Sequence, residues 1–122
     1  GGTRIDLWQE GGKLFTNMVH RTLTAIAERP NSRLCGLVWY QGESDADTKE
    51  RAAAYKEKLA AFIDAARTAL DSPSLPILQV AITSTRHEVP FVDDVREAQF
   101  GLKAPRMVTV DARGFHLPDG FH

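Results

Sequence analysis

Apolar residues recur along the 122-residue chain in two alternating patterns, which predict helices and strands in turn. Three segments, residues 11–28, 47–70 and 92–102, carry them at the three- and four-residue spacing of an amphipathic helix. The helix over 47–70 is the clearest, with an apolar stripe formed by Tyr55, Leu59, Phe62, Ile63, Ala66 and Leu70. The charged residues of this segment lie mostly off the stripe and are predicted to face water: Lys49, Glu50, Lys56, Glu57, Asp64 and Arg67.

Three short apolar runs, at residues 34–40, 77–82 and 107–110, predict strands between and after these helices. The first run is unbroken, which predicts a strand buried on both faces, as in a parallel sheet. Helices and strands in strict alternation predict an α/β fold, with residues 1–122 forming a single domain. Ligands bind beyond the carboxyl ends of such strands, which makes residues 41–45, 83–87 and 111–122 the candidate site segments.

Composition and charge exclude several classes of function. The 15 basic and 16 acidic side chains give a formal net charge of −1, which argues against a nucleic-acid-binding surface. No apolar run approaches the roughly 20 residues of a membrane span, so none is predicted. The single cysteine, Cys35, excludes an internal disulfide and a cysteine-based zinc site. The scattered histidines show no ligand spacing that would support a metal site.

The polar segment 41–45 directly follows the first predicted strand. The carboxamide of Gln41 carries two N–H donors, which suit a developing negative charge, and Gly42 permits a tight turn. Ser44 or Asp45 is predicted to cap the helix that follows, because serine and aspartate are preferred at that position. Ser44 is a poor candidate nucleophile because its neighbours do not form a Gly-x-Ser-x-Gly turn.

The closing segment offers a candidate general base. Asp119 precedes His122 by three residues, a spacing at which a carboxylate can orient an imidazole, although surface turns contain the same pair. His116, five residues after Asp111, is a rival base. The remaining histidines, His20 and His87, are interpreted as solvent-facing or locally bonded side chains.

Four blocks resemble, in the same order, those of the SGNH hydrolases grouped as carbohydrate esterase family six and the related sialate O-acetylesterases. Residues 1–5 with Trp8 resemble the Gly-Gly-Thr-x-Ile segment, and residues 38–45 resemble the Trp-Tyr-Gln-Gly-Glu block. Residues 95–99 are similar to the Arg-x-x-Gln helix, and residues 119–122 to the closing Asp-Gly-x-His block. The resemblance implies a serine esterase that removes acetyl groups from sugars, on a flavodoxin-like three-layer α/β/α fold, without a metal or organic cofactor.

The resemblance also implies a role for individual residues. His122 would be the general base and Asp119 the acid that orients it. Gln41 would donate its side-chain N–H to the oxyanion of the tetrahedral intermediate. The backbone N–H of Gly2 would be a second donor, with little to separate it from Gly1. Without the resemblance, the sequence alone favours a flexible terminus for this glycine-rich start.

The chain departs from the family at the nucleophile. The family's serine lies in a Gly-x-Ser-Asn block after the first strand, and none of Ser32, Ser44, Ser72, Ser74 and Ser84 has that setting. We therefore expect the C-terminal part of an esterase domain, incomplete at the N-terminus, without meaningful turnover of its own. Without the first strand, residues 34–40 would form a sheet edge, which predicts self-association or pairing with the missing N-terminal part.

Two alternatives remain open at this stage. One is a non-catalytic remnant or carbohydrate-binding module of the same fold, and the other is an α/β protein-interaction domain. The resemblance implies an acetylated carbohydrate as substrate, either acetylxylan and related polysaccharides or sialic acid. Acetylated polysaccharides are mostly extracellular, which favours a secreted or periplasmic location on the substrate class alone.

Overall fold

The alternation of helices and strands predicted from the sequence is confirmed. The computed structural model describes residues 2–83 and 89–114. Three α-helices, α1 (Lys13–Glu28), α2 (Lys49–Ala69) and α3 (Val92–Gly101), alternate with three strands, β1 (Leu37–Trp39), β2 (Ile77–Ala81) and β3 (Met107–Asp111). Short 3₁₀ turns occupy Ile5–Trp8 and Glu43–Asp45. No helix in this described part is long and apolar enough to cross a membrane.

The three strands form one parallel sheet in the order β1-β2-β3. Trp39 of β1 lies beside Gln79 of β2, which lies beside Thr109 of β3. Because the strands are parallel and adjacent, their carboxyl ends meet at one edge of the sheet. This edge carries the residues that follow the strands, and it is the place where α/β proteins bind ligands.

The hydrophobic core lies between one face of the sheet and the apolar stripe of α2. Trp39 packs on Phe62 with ring centroids 4.3 Å apart, and Phe62 also meets Trp8 and Phe15 edge to face. All six predicted stripe residues are buried. Aromatic rings bury large apolar areas, so this cluster joins α1, α2, the Ile5–Trp8 turn and the sheet into one unit.

The prediction that the first strand is buried on both faces is wrong. Val38, Leu78 and Val108 lie side by side in register and are 67%, 39% and 61% exposed. The reason is that the helices among the described residues contact only the opposite face, which carries Trp39 and Gln79. The α/β class is confirmed, whereas a second helical layer, as in a three-layer fold, is not among the described residues.

Arg67, predicted to face water, is buried instead. Its guanidinium donates to the backbone carbonyl of Leu75 at 2.9 Å and to that of Pro105. Leu75 lies just before β2 and Pro105 just before β3, so this side chain satisfies two carbonyls at the entrances of neighbouring strands. Buried carbonyls that lack a donor would cost free energy, and this requirement overrides the arginine's preference for water.

The predicted cap of α2 by Ser44 or Asp45 is also wrong. The N-cap is Thr48, whose hydroxyl accepts the backbone N–H of Arg51 at 3.3 Å. Ser44 and Asp45 lie earlier, in the 3₁₀ turn Glu43–Asp45. The extra turn shifts the start of the helix by several residues, and threonine is itself a preferred capping residue.

Replacing Thr48 with alanine is expected to lower the free energy of unfolding by about 1 kcal/mol, because the Arg51 N–H loses its acceptor. Urea unfolding followed by circular dichroism measures the change. Ser44→Ala, the matched substitution at the position first predicted as the cap, should stay within about 0.5 kcal/mol of the parent. A larger loss for Ser44→Ala than for Thr48→Ala would contradict this cap.

Candidate active site

Gln41 follows β1 at the carboxyl edge of the sheet and is held in one orientation. Its side-chain nitrogen donates to the Thr3 carbonyl at 2.9 Å and to Oδ2 of Asp45 at 2.6 Å. Its side-chain oxygen accepts the hydroxyl of Tyr55 at 3.2 Å. The residue is 8% exposed, so these partners replace water around a largely buried amide. The donor side of the carboxamide therefore points towards the N-terminal segment.

The N-terminal segment contacts Gln41 through Thr3. Gly2 is exposed and has a φ of +79°, a left-handed conformation that favours glycine, and the Thr3 carbonyl that follows it accepts from Gln41. The indole N–H of Trp8 donates to the Thr3 hydroxyl at 3.0 Å, which ties this segment to the turn that follows. Gly2, the other predicted oxyanion donor, thus directly precedes a residue that contacts Gln41.

Asp45 is a buried carboxylate that connects both parts of this edge. Its Oδ2 accepts from Gln41 and, at 2.9 Å, from the backbone N–H of Ile5. Burial raises the pKa of Asp45 above the usual carboxyl value, although both of these hydrogen bonds oppose the rise. Sequence reasoning missed this role because Ile5 is 40 residues away in the chain, and only tertiary folding makes them neighbours.

Gln99 on α3 binds the ends of β1 and β2. Its side-chain nitrogen donates to the Gln41 backbone carbonyl at 2.9 Å and to the Tyr55 hydroxyl at 3.2 Å. Its side-chain oxygen accepts the backbone N–H of Ile82 at 3.0 Å. The Tyr55 hydroxyl in turn donates to the Gln41 carbonyl at 2.9 Å, and burial raises the pKa of this phenol, so it stays a neutral donor.

Arg96, one turn earlier on α3, connects the ends of β2 and β3. It donates to the Ile82 backbone carbonyl and, at 2.8 Å, to Oδ2 of Asp111. The Arg96 hydrogen bond lowers the pKa of Asp111, and a second bond from the Arg113 backbone N–H acts in the same direction. The two polar residues of the Arg-x-x-Gln block, to which sequence reasoning gave no role, thus hold three strand ends together. A polar Gln99 on the apolar side of α3 was the available signal.

The predicted acid–base pair is not located by this structure. Asp119 and His122 lie outside the described residues, as do the rival base His116 and the loop histidine His87. His20 on α1 is exposed, as predicted. Within residues 2–83 and 89–114, no group of three or more His, Cys, Asp or Glu side chains could hold a metal ion.

This edge of the sheet presents an N–H donor, the side-chain nitrogen of Gln41, in a fixed position. Both N–H groups of Gln41 have acceptors, one of them the carboxylate of Asp45 and the other the neutral carbonyl of Thr3. Hydrogen bonds to a charged acceptor are roughly twice as strong as neutral ones. The N–H that Thr3 accepts is therefore the one that a bound anion could take over.

Comparison with known sequences identifies the family of this chain. Over residues 1–122 the sequence matches the family described as carbohydrate esterase, sialic acid-specific acetylesterase. The chain belongs to this family. It is 42% identical over 128 residues to a probable carbohydrate esterase of Arabidopsis thaliana, and the match covers 100% of this chain and 45% of that protein.

Solved structures support the same relationship. An X-ray structure of an Arabidopsis thaliana protein superposes with a TM-score of 0.88 at 41% identity, covering 100% of this chain and 50% of that one. A carbohydrate acetylesterase from Xanthomonas citri superposes with a TM-score of 0.67 at 25% identity, covering 91% of this chain and 28% of that one. This chain therefore spans half or less of the length of these relatives.

Proposed function

We propose that this carbohydrate esterase chain is the C-terminal part of a serine esterase domain that removes acetyl groups from carbohydrates. Gln41 and Gly2 would donate N–H groups to the oxyanion of the tetrahedral intermediate. His122 would be the general base and Asp119 the acid that orients it, while the attacking serine would come from outside this chain. The observation that carries the proposal is the Gln41 carboxamide, held at the strand ends beside the Gly2–Thr3 segment.

The steps follow from general ester hydrolysis. His122 takes the proton of the serine hydroxyl as its oxygen attacks the acetyl carbonyl, and the sugar hydroxyl leaves with that proton. Water then attacks the acetyl-enzyme as His122 takes its proton; the ester bond to the serine oxygen breaks, His122 returns the proton to that oxygen, and acetate is released. In each step the carbonyl oxygen becomes negative, and N–H donors placed at that oxygen lower the barrier. No step requires a metal or organic cofactor.

The substrate class comes from the relatives and not from the described geometry. The family description names sialic acid, and the Xanthomonas citri relative is described as a carbohydrate acetylesterase. We propose an O-acetylated carbohydrate, with acetylated sialic acid and acetylxylan as the two candidates. Acetyl release from both, compared at equal acetyl concentration, separates them.

The free edge of β1 and the exposed face of the sheet are proposed to contact the rest of this esterase domain. In the described residues β1 has one strand neighbour, β2, and the row of Val38, Leu78 and Val108 is exposed. Exposed apolar patches of this kind are typical of interaction surfaces, and an unpaired strand edge can accept another strand. The Arabidopsis thaliana relative, about twice as long as this chain, is the reason for choosing the rest of the domain over a second copy.

The test compares this chain alone with the same chain expressed together with an N-terminal segment that carries a Gly-x-Ser-Asn block. We expect the chain alone to show no inhibitor-sensitive hydrolysis of a chromogenic acetyl ester. The pair should co-elute as a 1:1 complex on size exclusion and should hydrolyse the ester, and replacing the added serine with alanine should abolish turnover.

Other outcomes would contradict the proposal. Turnover by the isolated chain that a serine inhibitor blocks would show that the nucleophile lies within it. A stable monomer that melts cooperatively at high temperature and ignores the added segment would exclude the pairing. A complex that binds acetylated glycans but never hydrolyses them would favour the alternative, a non-catalytic remnant or carbohydrate-binding module.

A further inference from the structure

Asp45 is a buried carboxylate that the proposed reaction does not use. Its side chain is 2% exposed, and one oxygen accepts two hydrogen bonds, from Gln41 at 2.6 Å and from the Ile5 backbone at 2.9 Å. Burying a carboxylate costs free energy even when it is hydrogen-bonded. Such a group is expected to serve a purpose beyond the stability of the fold.

The orientation of the Gln41 carboxamide is such a purpose. A glutamine amide can occupy its site in two orientations that exchange the oxygen and the nitrogen. An ionised carboxylate only accepts hydrogen bonds, so Asp45 selects the orientation that places the nitrogen towards it. The Tyr55 hydroxyl shares its one proton between the Gln41 backbone carbonyl at 2.9 Å and the Gln41 side-chain oxygen at 3.2 Å, and so favours the same orientation from the other side. In this orientation the second N–H points to Thr3, next to Gly2.

We propose that Asp45 is a positioning residue that holds the donor side of the Gln41 carboxamide towards the Gly2–Thr3 segment. Its catalytic consequence rests on the proposed function, in which the oxyanion forms beside this segment. Asp45 itself does not touch the substrate. Because it binds one N–H of Gln41 through a charge-assisted bond, it leaves the N–H on the neutral Thr3 carbonyl as the one that the oxyanion takes over.

If Asp45 served only to stabilise the fold, its ionised carboxylate would raise the free energy of unfolding at neutral pH. Burial raises the pKa of Asp45. A carboxyl whose pKa is higher in the folded than in the unfolded protein binds protons more strongly when the protein is folded. The free energy of unfolding therefore falls as the pH rises above the pKa of this carboxyl in the unfolded protein. The ionised carboxylate is therefore not favourable to folding at neutral pH. An Asp45→Asn variant is expected to be at least as stable as the parent under these conditions.

In Asp45→Asn the side-chain oxygen can accept the same two hydrogen bonds that Oδ2 of Asp45 accepts, so this conservative variant should keep kcat near the parent value. The test therefore uses Asp45→Ala in the polypeptide that contains the nucleophile, where Gln41 loses this acceptor and with it its fixed orientation. We expect kcat to fall by about 10²-fold, close to the loss of one oxyanion donor, with little change in KM. In NMR spectra the Gln41 side-chain amide resonances should shift. The control is Asp47→Ala, at an exposed carboxylate that pairs with Arg51, which should change neither readout.

A double-mutant cycle decides whether Asp45 acts through Gln41. In a Gln41→Ala background, Asp45→Ala should change kcat by less than about twofold, because the group that Asp45 positions is already absent. An equal loss in both backgrounds, or unchanged Gln41 amide resonances in Asp45→Ala, would overturn the proposal. If Gln41→Ala itself leaves kcat unchanged, the proposed oxyanion role fails, and the amide resonances alone decide whether Asp45 orients Gln41.

Discussion

Replacing Gln41 with alanine is expected to lower kcat of the complete esterase by about 10²–10³-fold. The side-chain N–H would donate to the oxyanion, and removing one such donor typically costs that much because the charge forms in a site shielded from water. KM should change far less, since the neutral ester carbonyl of the substrate needs the donor less than the oxyanion does. Steady-state kinetics on a chromogenic acetyl ester measure both constants.

The control for Gln41 is another glutamine with two similar hydrogen bonds. The side-chain nitrogen of Gln9 donates to the backbone carbonyls of Ile5 at 3.1 Å and Lys58 at 3.0 Å, away from the strand ends. Gln9→Ala should cost stability of the same order as Gln41→Ala and leave kcat within about twofold of the parent. If both variants lose turnover in proportion to their stability, Gln41 supports the fold and does not stabilise the oxyanion.

Sequence patterns predicted the elements of this fold because the periodicity of a helix records its buried face directly. The stripe on α2 is apolar because the sheet and the aromatic cluster around Phe62 cover it. Arg67 was misplaced because its partners are the carbonyls of Leu75 and Pro105, which lie 8 and 38 residues further along the chain. The apolar run of β1 could not show that one face, with Val38, would lack a covering layer among the described residues.

The sequence predicted only those site residues whose place in the fold follows from their position directly after a strand. Gln41 was found because it follows a strand, and polar residues after parallel strands lie at the ligand-binding edge. Asp45 was predicted to cap a helix from its local sequence alone. Instead it accepts the backbone N–H of Ile5, a tertiary contact that no sequence pattern indicates. The tie that Gln99 makes between Gln41 and Ile82 likewise spans separate elements. The acid–base pair, Asp119 and His122, stays a prediction.

Replacing Gly42 with alanine is expected to lower the free energy of unfolding by at least about 2 kcal/mol. Gly42 follows Gln41 with a φ of +144°, a conformation that costs a side-chain-bearing residue about 1–3 kcal/mol. The new Cβ would also lie 3.0 Å from Cγ1 of Val95, 3.1 Å from the side-chain nitrogen of Gln99 and 3.3 Å from Cγ2 of Ile82. Overpacking of this kind adds about 1–3 kcal/mol.

Urea unfolding of the polypeptide used for the kinetic experiments measures this loss, with an unchanged m-value as the sign that stability alone has changed. Gly11→Ala is the matched control, because Gly11 also has a positive φ, +84°, but a Cβ added there meets nothing within 4 Å. It should lose only the backbone cost of about 1–2 kcal/mol. The excess loss of Gly42→Ala over Gly11→Ala reports the crowding against Val95, Gln99 and Ile82, together with the difference in backbone cost between a φ of +144° and one of +84°. Equal losses would mean that Gly42 does not pack closely against Val95 and Gln99, and α3 would then not hold the end of β1 in the way described.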